Sequence, residues 1–296
     1  MLLREKIIGY CIIQRWTIGF TEQSLQEIIE GKPLKINYIK HCYKDRWFAD
    51  PFILDYDDEY IHVLVEEYLD STKLGRISKL RIDRNTYQLL AITPILELDT
   101  HLSFPAIVRR DGKIYIYPEN AAGKGLAMYE YDAETDRCLL VDIVTKEPLA
   151  DAIITDLFGE KLMFSTHIPT HNGSVLTVHR FEDNKPIFDQ EINFLSNIAR
   201  NAGDWFKYED IIYRPAQDCN GGVYGGAVIL QEVEKRSEGF VIKDVRRIES
   251  NHNDYKTGCH TFNHYKGLSV LDVHGYRHIF AARLFETIYR LKNKLK

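Results

Sequence analysis

Cysteine is scarce and scattered in this 296-residue sequence: Cys11, Cys42, Cys138, Cys219 and Cys259 make an odd set of five. No two of them stand at the spacing of a metal site or a redox pair, which speaks against a disulfide framework and a zinc centre, and no metal is expected. Long apolar runs are also missing. None approaches the roughly 20 residues that cross a bilayer, so no membrane span is expected. Met1–Ile8 has Glu5 and Lys6 among its apolar residues and lacks the continuous apolar core of a signal peptide, making a cytoplasmic location the expectation. Positive charge is not in excess. A formal net charge of −5 argues against nucleic acid or an anionic membrane surface as the main partner. A strict glycine-rich phosphate loop is absent too. Ala121-Ala122-Gly123-Lys124-Gly125 lacks the strand–Gly-rich–helix context, reads as a plain loop, and gives no reason to expect a cofactor.

What the sequence has is aromatic side chains and short strands. Its 18 Tyr, 14 Phe and 3 Trp suit β-structure and surfaces that stack on flat apolar faces, sugar rings among them. Residues 1–45 read as a closing strand ending near Phe20 and a peripheral helix with Thr21 as a cap candidate and Gly31 as its stop. From Asp50 onward, period-2 alternation replaces helical periods. Five times, an apolar strand leads through a polar turn into a second strand, starting near residues 50, 103, 152, 202 and 260. The spacing of about 50 residues leaves room for a four-stranded sheet each time, which predicts an all-β, five-bladed β-propeller in one domain over 1–296. Residues 283–296 have the period of a basic amphipathic helix.

In a propeller the innermost strands line a central funnel, so polar residues at their ends converge although far apart in sequence. This makes Asp50 the lead candidate. It follows Trp47-Phe48-Ala49 and precedes Pro51, which predicts an extended, fixed conformation for the acid; its plainer role is to cap a turn or pair with Arg46. The convergent set includes His101, Ser103, Asp156, Arg200 or Asp204, His260 and Asn263. The second strands add Glu66 or Glu67, which point to opposite faces so that only one can look inward, then Glu119 and Asp272. Arg214-Pro215-Ala216-Gln217-Asp218, followed by Tyr224-Gly225-Gly226, is the densest polar cluster and suits recognition of sugar hydroxyls or an anion. Carboxyls delivered from several blades are what glycosidic-bond chemistry requires, one acid protonated and another ionised.

Trp47-Phe48-Ala49-Asp50-Pro51-Phe52, Val65-Glu66-Glu67, His101-Leu102-Ser103-Phe104-Pro105, Tyr117-Pro118-Glu119, Arg214-Pro215-Ala216-Gln217-Asp218 with Tyr224-Gly225, and His260-Thr261-Phe262-Asn263 occur in that order. Together they resemble the N-terminal propeller domain of glucosamine inositolphosphorylceramide transferases and its stand-alone bacterial relatives, over about Trp16 to Asp272. That domain is similar in turn to five-bladed glycosidases of the arabinanase, xylosidase and invertase type. The resemblance implies Asp50 as base or nucleophile and Glu119, or less directly Asp156, as general acid. It implies Trp47, Glu67, His101, Ser103, Arg214, Gln217, Asp218, Tyr224, His260 and Asn263 as contacts to a sugar or glycoconjugate. The second innermost strand departs from the glycosidase pattern, with His101 and Ser103 where an aspartate is expected. Hydrolysis, transfer in the propeller itself, and a non-catalytic carbohydrate-binding or scaffold role are therefore all open. Surface polysaccharide or glycolipid assembly, alongside a partner enzyme, is the expected setting.

Overall fold

The computed structural model describes residues 14–276 except 121, 124 and 223, together with 278, 281 and 284. In chain order its elements are β1 (Gln14–Thr21), α1 (Leu25–Ile29) and β2 (Asn37–Tyr38). Four consecutive sheets follow: β3 (Arg46–Tyr56), β4 (Tyr60–Leu69), β5 (Leu74–Asp83) and β6 (Leu89–Leu96); then β7 (Ser103–Arg110), β8 (Lys113–Glu119), β9 (Leu126–Asp132) and β10 (Arg137–Thr145). The third is β11 (Leu149–Thr155), β12 (Leu162–His167), β13 (Val175–Glu182) and β14 (Lys185–Asn193), and the fourth β15 (Phe206–Tyr208), β16 (Ile211–Asp218), β17 (Ala227–Arg236) and β18 (Gly239–Ile248). β19 (Phe262–Tyr265) and β20 (Leu268–Tyr276) complete the set.

Five four-stranded antiparallel sheets form a five-bladed β-propeller. The last blade is composite, in the order β19-β20-β1-β2, so one end of the described chain closes the ring against the other. Eight Cα pairs, from Gln14↔Tyr276 to Thr21↔Ser269, hold that closure. Burial follows from strand position. Every residue of β11, an innermost strand, is buried, whereas the outermost β14 alternates mostly between exposed and half-buried. The apolar core lies between neighbouring blades. One cluster joins residues of the first four blades, a second joins the fifth and first, and a third seats Ile28 of α1 against the fourth and fifth. Each fully buried Leu, Ile or Phe in these seams contributes about 1.5–3 kcal/mol of transfer free energy.

The peripheral helix is shorter than its sequence pattern suggests, and Thr21 is not its cap. Thr21 ends β1, and the side chain of Ser24 accepts from the Glu27 N–H instead. The helix expected over 283–296 lies outside the described residues except for Leu284. Among the described residues no helix is long and apolar enough to cross a membrane.

Candidate functional site

Three adjacent blades repeat one backbone device on their innermost strands. The register with the neighbouring strand skips between Ala49 and Phe52, between Ser103 and Ala106, and between Ala150 and Ile153. In each gap a non-glycine residue sits in the left-handed region: Asp50 at φ 49°, Phe104 at 46° and Asp151 at 43°. Such bulges re-aim a side chain, and the left-handed conformation costs about 1–3 kcal/mol unless its surroundings impose it. Asp50 is therefore not extended, as Pro51 would favour. Tertiary hydrogen bonds override the local preference: the Asp50 N–H donates to Asp272 Oδ2 at 2.9 Å, and Asp50 Oδ2 accepts from the Phe104 N–H at 3.0 Å.

Around Asp50 lies a closed acid–imidazole–acid arrangement. His260 Nδ1 is 2.7 Å from Asp272 Oδ2 and His260 Nε2 is 3.4 Å from Asp50 Oδ1. Asp272 Oδ1 accepts from the backbone N–H groups of His260 and Thr261, and Asp50 Oδ1 accepts from the Thr261 hydroxyl. Burial alone would raise the Asp272 carboxyl, but the His260 cation and these N–H groups hold it below the usual carboxylate range. Burial likewise works against the His260 charge, yet Asp272 and Asp50 outweigh it and lift the imidazole to about 9. Asp50 goes the other way. Burial, only partly countered by His260 and reinforced by Glu66, Asp151 and Asp272, pushes it up to about 7.

A second cluster brings Glu119 and Arg200 to the same cavity as Asp50 and His260. Arg200 grips Asp151 by two nitrogens, Nε to Oδ2 at 2.5 Å and Nη2 to Oδ1 at 3.2 Å, and its Nη2 also reaches Glu119 Oε2 at 3.3 Å. Glu119 Oε2 accepts from the Asp151 N–H at 3.1 Å, while Gln217 Nε2 donates to Asp151 Oδ2 at 2.6 Å. Burial pushes the Glu119 carboxyl well above its ordinary value despite Arg200, and the Asp151 charge adds to the rise. A third pair is Glu66 and His101, whose Oε1 and Nε2 are 3.2 Å apart. The Gly75 N–H donates to His101 Nδ1 at 2.9 Å, so the ring proton sits on Nε2, toward the carboxylate. Gly75 is required there: a Cβ would lie 2.5 Å from the Leu102 carbonyl oxygen and 2.7 Å from Glu66 Oε1.

Asp50, Glu66, His101, Glu119, Arg200 and His260 line one cavity of about 320 Å³ together with Trp16, Trp47, Tyr68, Ser103, His171, Asn172 and Tyr224. Its walls are aromatic. Trp16 lies against His260 at 4.0 Å between ring centroids, and Trp47 stacks on Tyr68 at 4.6 Å with only 6° between planes. His171 Nδ1 is buried without a hydrogen-bond partner among the described residues, as befits a site that receives a polar ligand. A larger cavity of about 540 Å³ adjoins it and shares Trp16 and Trp47.

Of the residues singled out in the sequence, Asp50, Glu66, Glu119, Trp47, His101, Ser103, Arg200, Tyr224 and His260 line the funnel cavity. The others do not. Asp156 follows the far end of β11 and lines a separate cavity with Asp204 and Trp205. Glu67 is fully buried, bound by Arg46, Arg76 and Ser78, and its neighbour Glu66 is the one that faces inward. Arg214 is fully enclosed and donates to Asn201, Gln231 and the Ile198 and Ala199 carbonyls, which makes it an internal strut. Asn263 caps the Asp204 N–H and the Pro51 carbonyl, and Asp218 pairs with Arg247. Gln217 stands behind Asp151, away from the cavity lining. Gly225 does permit a close approach, but to His260, whose Cβ would be 2.4 Å from an added Cβ.

Sequence reasoning missed Asp151, although a signal exists. Leu149-Ala150-Asp151-Ala152-Ile153-Ile154 repeats Phe48-Ala49-Asp50-Pro51-Phe52-Ile53, with Leu102-Ser103-Phe104-Pro105-Ala106-Ile107 between them. Aligning the three places Phe104, buried against Phe52, at the position of the acid in the second blade.

Two kinds of similarity accompany this geometry. In solved structures the fold matches an α-L-arabinofuranosidase from Clostridium thermocellum, at TM-score 0.51 and 17% identity, over 76% of this chain and 81% of that one. It also matches a β-xylosidase/α-arabinofuranosidase from a compost microbial metagenome, at TM-score 0.56 and 11% identity, over 80% and 93%. At these identities the likeness establishes the fold alone. In sequence, the chain is 28% identical over 207 residues to glucosamine inositolphosphorylceramide transferase 1 of Oryza sativa and, over the same length, to that of Arabidopsis thaliana. The aligned region is 65% of this chain but only 27% and 26% of those proteins, so the chain spans about a quarter of the length of these relatives. Residues 36–275 match the family described as glucosamine inositolphosphorylceramide transferase 1, N-terminal, and the chain belongs to that family.

Proposed function

We propose that the funnel carries out chemistry at a glycosidic bond, by hydrolysis or by glycosyl transfer, with Asp50 as base or nucleophile and Glu119 as general acid. The observation that carries this reading is that two carboxyls from different blades line one aromatic-walled cavity, both raised by burial and each held by a different cation. Burial raises the Glu119 carboxyl well above its ordinary value, which favours the protonated form that can give a proton to a leaving oxygen. Asp50, poised near 7, accepts a proton or attacks once ionised, with His260 beside it compensating the charge. Trp16, Trp47 and Tyr68 offer faces for a sugar ring, and the buried Nδ1 of His171 and the Glu66–His101 pair offer polar groups for its hydroxyls. The substrate class is a sugar or glycoconjugate, in keeping with the transferase and glycosidase names of the relatives, and the setting is surface polysaccharide or glycolipid assembly in the cytoplasm with a partner enzyme.

A binding-only role is the second reading. Phe104 at the acid position of the second blade favours it, because a glycosidase-like trio of acids is incomplete there. Turnover of activated aryl glycosides and sugar nucleotides by the purified chain separates the two. Catalysis predicts turnover that Asp50→Asn lowers by about 10²–10⁴-fold. Sugar binding by calorimetry with no turnover of any of these substrates would leave the binding reading.

A further inference from the structure

Away from the funnel, three metal-capable side chains meet from three separate segments. Glu147 lies in the connection from β10 to β11, His167 ends β12, and His179 sits within β13. One ligand-capable atom from each lies within 4.8 Å of the other two, and His167 Nε2 stands 3.6 Å from Glu147 Oε2. Two ligands of a tetrahedral ion with bonds of about 2.0–2.1 Å are roughly 3.3 Å apart. The His167–Glu147 pair is thus near liganding distance, and the widest separation needs to close by about 1.5 Å, within the reach of side-chain rotation.

His179 is an independent sign. It is 4% exposed, and its Nδ1 has no hydrogen-bond partner among the described residues. Buried polar atoms are satisfied in folded proteins, so an unpartnered imidazole beside a second imidazole and a carboxylate calls for a missing partner. The comparable grouping of Asp50, His260 and Asp272 has no such vacancy in its bonding, since the oxygens of both acids already accept from Thr261, Phe104, Asp50 and His260.

We propose that Glu147, His167 and His179 bind a divalent transition-metal ion of the zinc class, with water completing the coordination. Two imidazoles and one carboxylate suit zinc and its neighbours, whereas calcium and magnesium require mostly oxygen ligands. The separation of the three residues along the chain has no motif spacing, which is why no metal is expected from sequence. His167 directly precedes the segment 168–172, which supplies His171 and Asn172 to the funnel cavity. The ion therefore pins the start of that segment, and its role is to brace the rim of the funnel, whatever reaction occurs there.

Chelator-stripped full-length protein titrated with zinc chloride tests this. The expected result is one zinc ion per chain by calorimetry, a higher melting temperature on loading, and the visible absorption of four-coordinate cobalt when Co(II) replaces zinc. His167→Ala and Glu147→Gln, at half-exposed and exposed positions and checked for native circular dichroism, should each weaken zinc binding at least tenfold and abolish the thermal shift. Binding of wild-type strength in both variants, or no saturable zinc binding by the wild type, overturns the proposal.

Discussion

His260 and Asp272 form the pivot of the funnel: Nδ1 of the imidazole lies 2.7 Å from Oδ2 of a fully buried carboxylate, and the other ring nitrogen faces Asp50. Asp272 also receives three backbone N–H groups, from Asp50, His260 and Thr261, so one side chain fixes both the charge and the backbone of the site. Asp272→Asn removes the charge and half of the acceptor capacity. Breaking a buried pair in this way costs about 3–5 kcal/mol, so a large drop in chemical-denaturation stability is expected, together with loss of any funnel activity. Unchanged stability would mean that the pair is not formed.

The pH dependence of stability follows from the same groups. His260 is raised from an ordinary 6.5 to about 9, so the stability it contributes is complete below pH 6.5 and is lost as pH climbs through 9. Asp50, raised from 3.8 to about 7, contributes stability that is complete below about pH 4 and lost as pH passes 7. Asp272, held below 3.8, acts in the opposite sense and loses its contribution only as pH falls through its lowered value. Melting temperature should therefore decline from mildly acid to alkaline pH. His260→Gln should flatten the limb between pH 6.5 and 9.

Glu67 and Arg214 test which buried polar groups are structural. Glu67 satisfies Arg46, Arg76 and Ser78, and Arg214 satisfies two carbonyls and two amides, all away from the cavity. Glu67→Gln and Arg214→Met should each lower stability by about 2–4 kcal/mol, because partners are left buried and unpaired. Sugar affinity of the folded fraction should be unchanged. A selective loss of affinity at native stability would return them to the ligand site.

Trp47 offers the complementary case. It is half-buried and stacked on Tyr68 at the mouth shared by both cavities. Trp47→Ala should weaken sugar binding by about tenfold, the scale of one aromatic contact, with a smaller effect on melting temperature than Asp272→Asn. Isothermal titration with the best-bound sugar reads the difference.

Glu119 as general acid makes a prediction about leaving groups. Glu119→Gln cannot donate a proton, so turnover should fall by about 10²–10⁴-fold for poor leaving groups and far less for nitrophenyl-type ones that leave unprotonated. Equal losses on both would assign Glu119 to binding.

By itself the sequence determined the propeller, because blades are built from local signals: period-2 alternation, polar turns and a spacing of about 50 residues recur without reference to distant partners. It also marked Asp50, Glu119, His101 and His260, polar residues that stand out within or beside apolar strands. Only the tertiary structure decided which acids meet. Asp50 reads as extended from Pro51, yet contacts 54, 211 and 222 residues away, to Phe104, Thr261 and Asp272, turn it into a bulge at φ 49°. Glu66 and Glu67 differ by one position, and strand pairing sends one to the cavity and the other into an arginine-lined interior. Asp151 and Asp156 lie near opposite ends of β11, so the first reaches Arg200 at the funnel and the second lines a separate cavity. Residue type and periodicity are local properties of a chain. The convergence of side chains in a closed ring depends on register, bulges and the pairing of β1 with β20, which only the folded chain fixes.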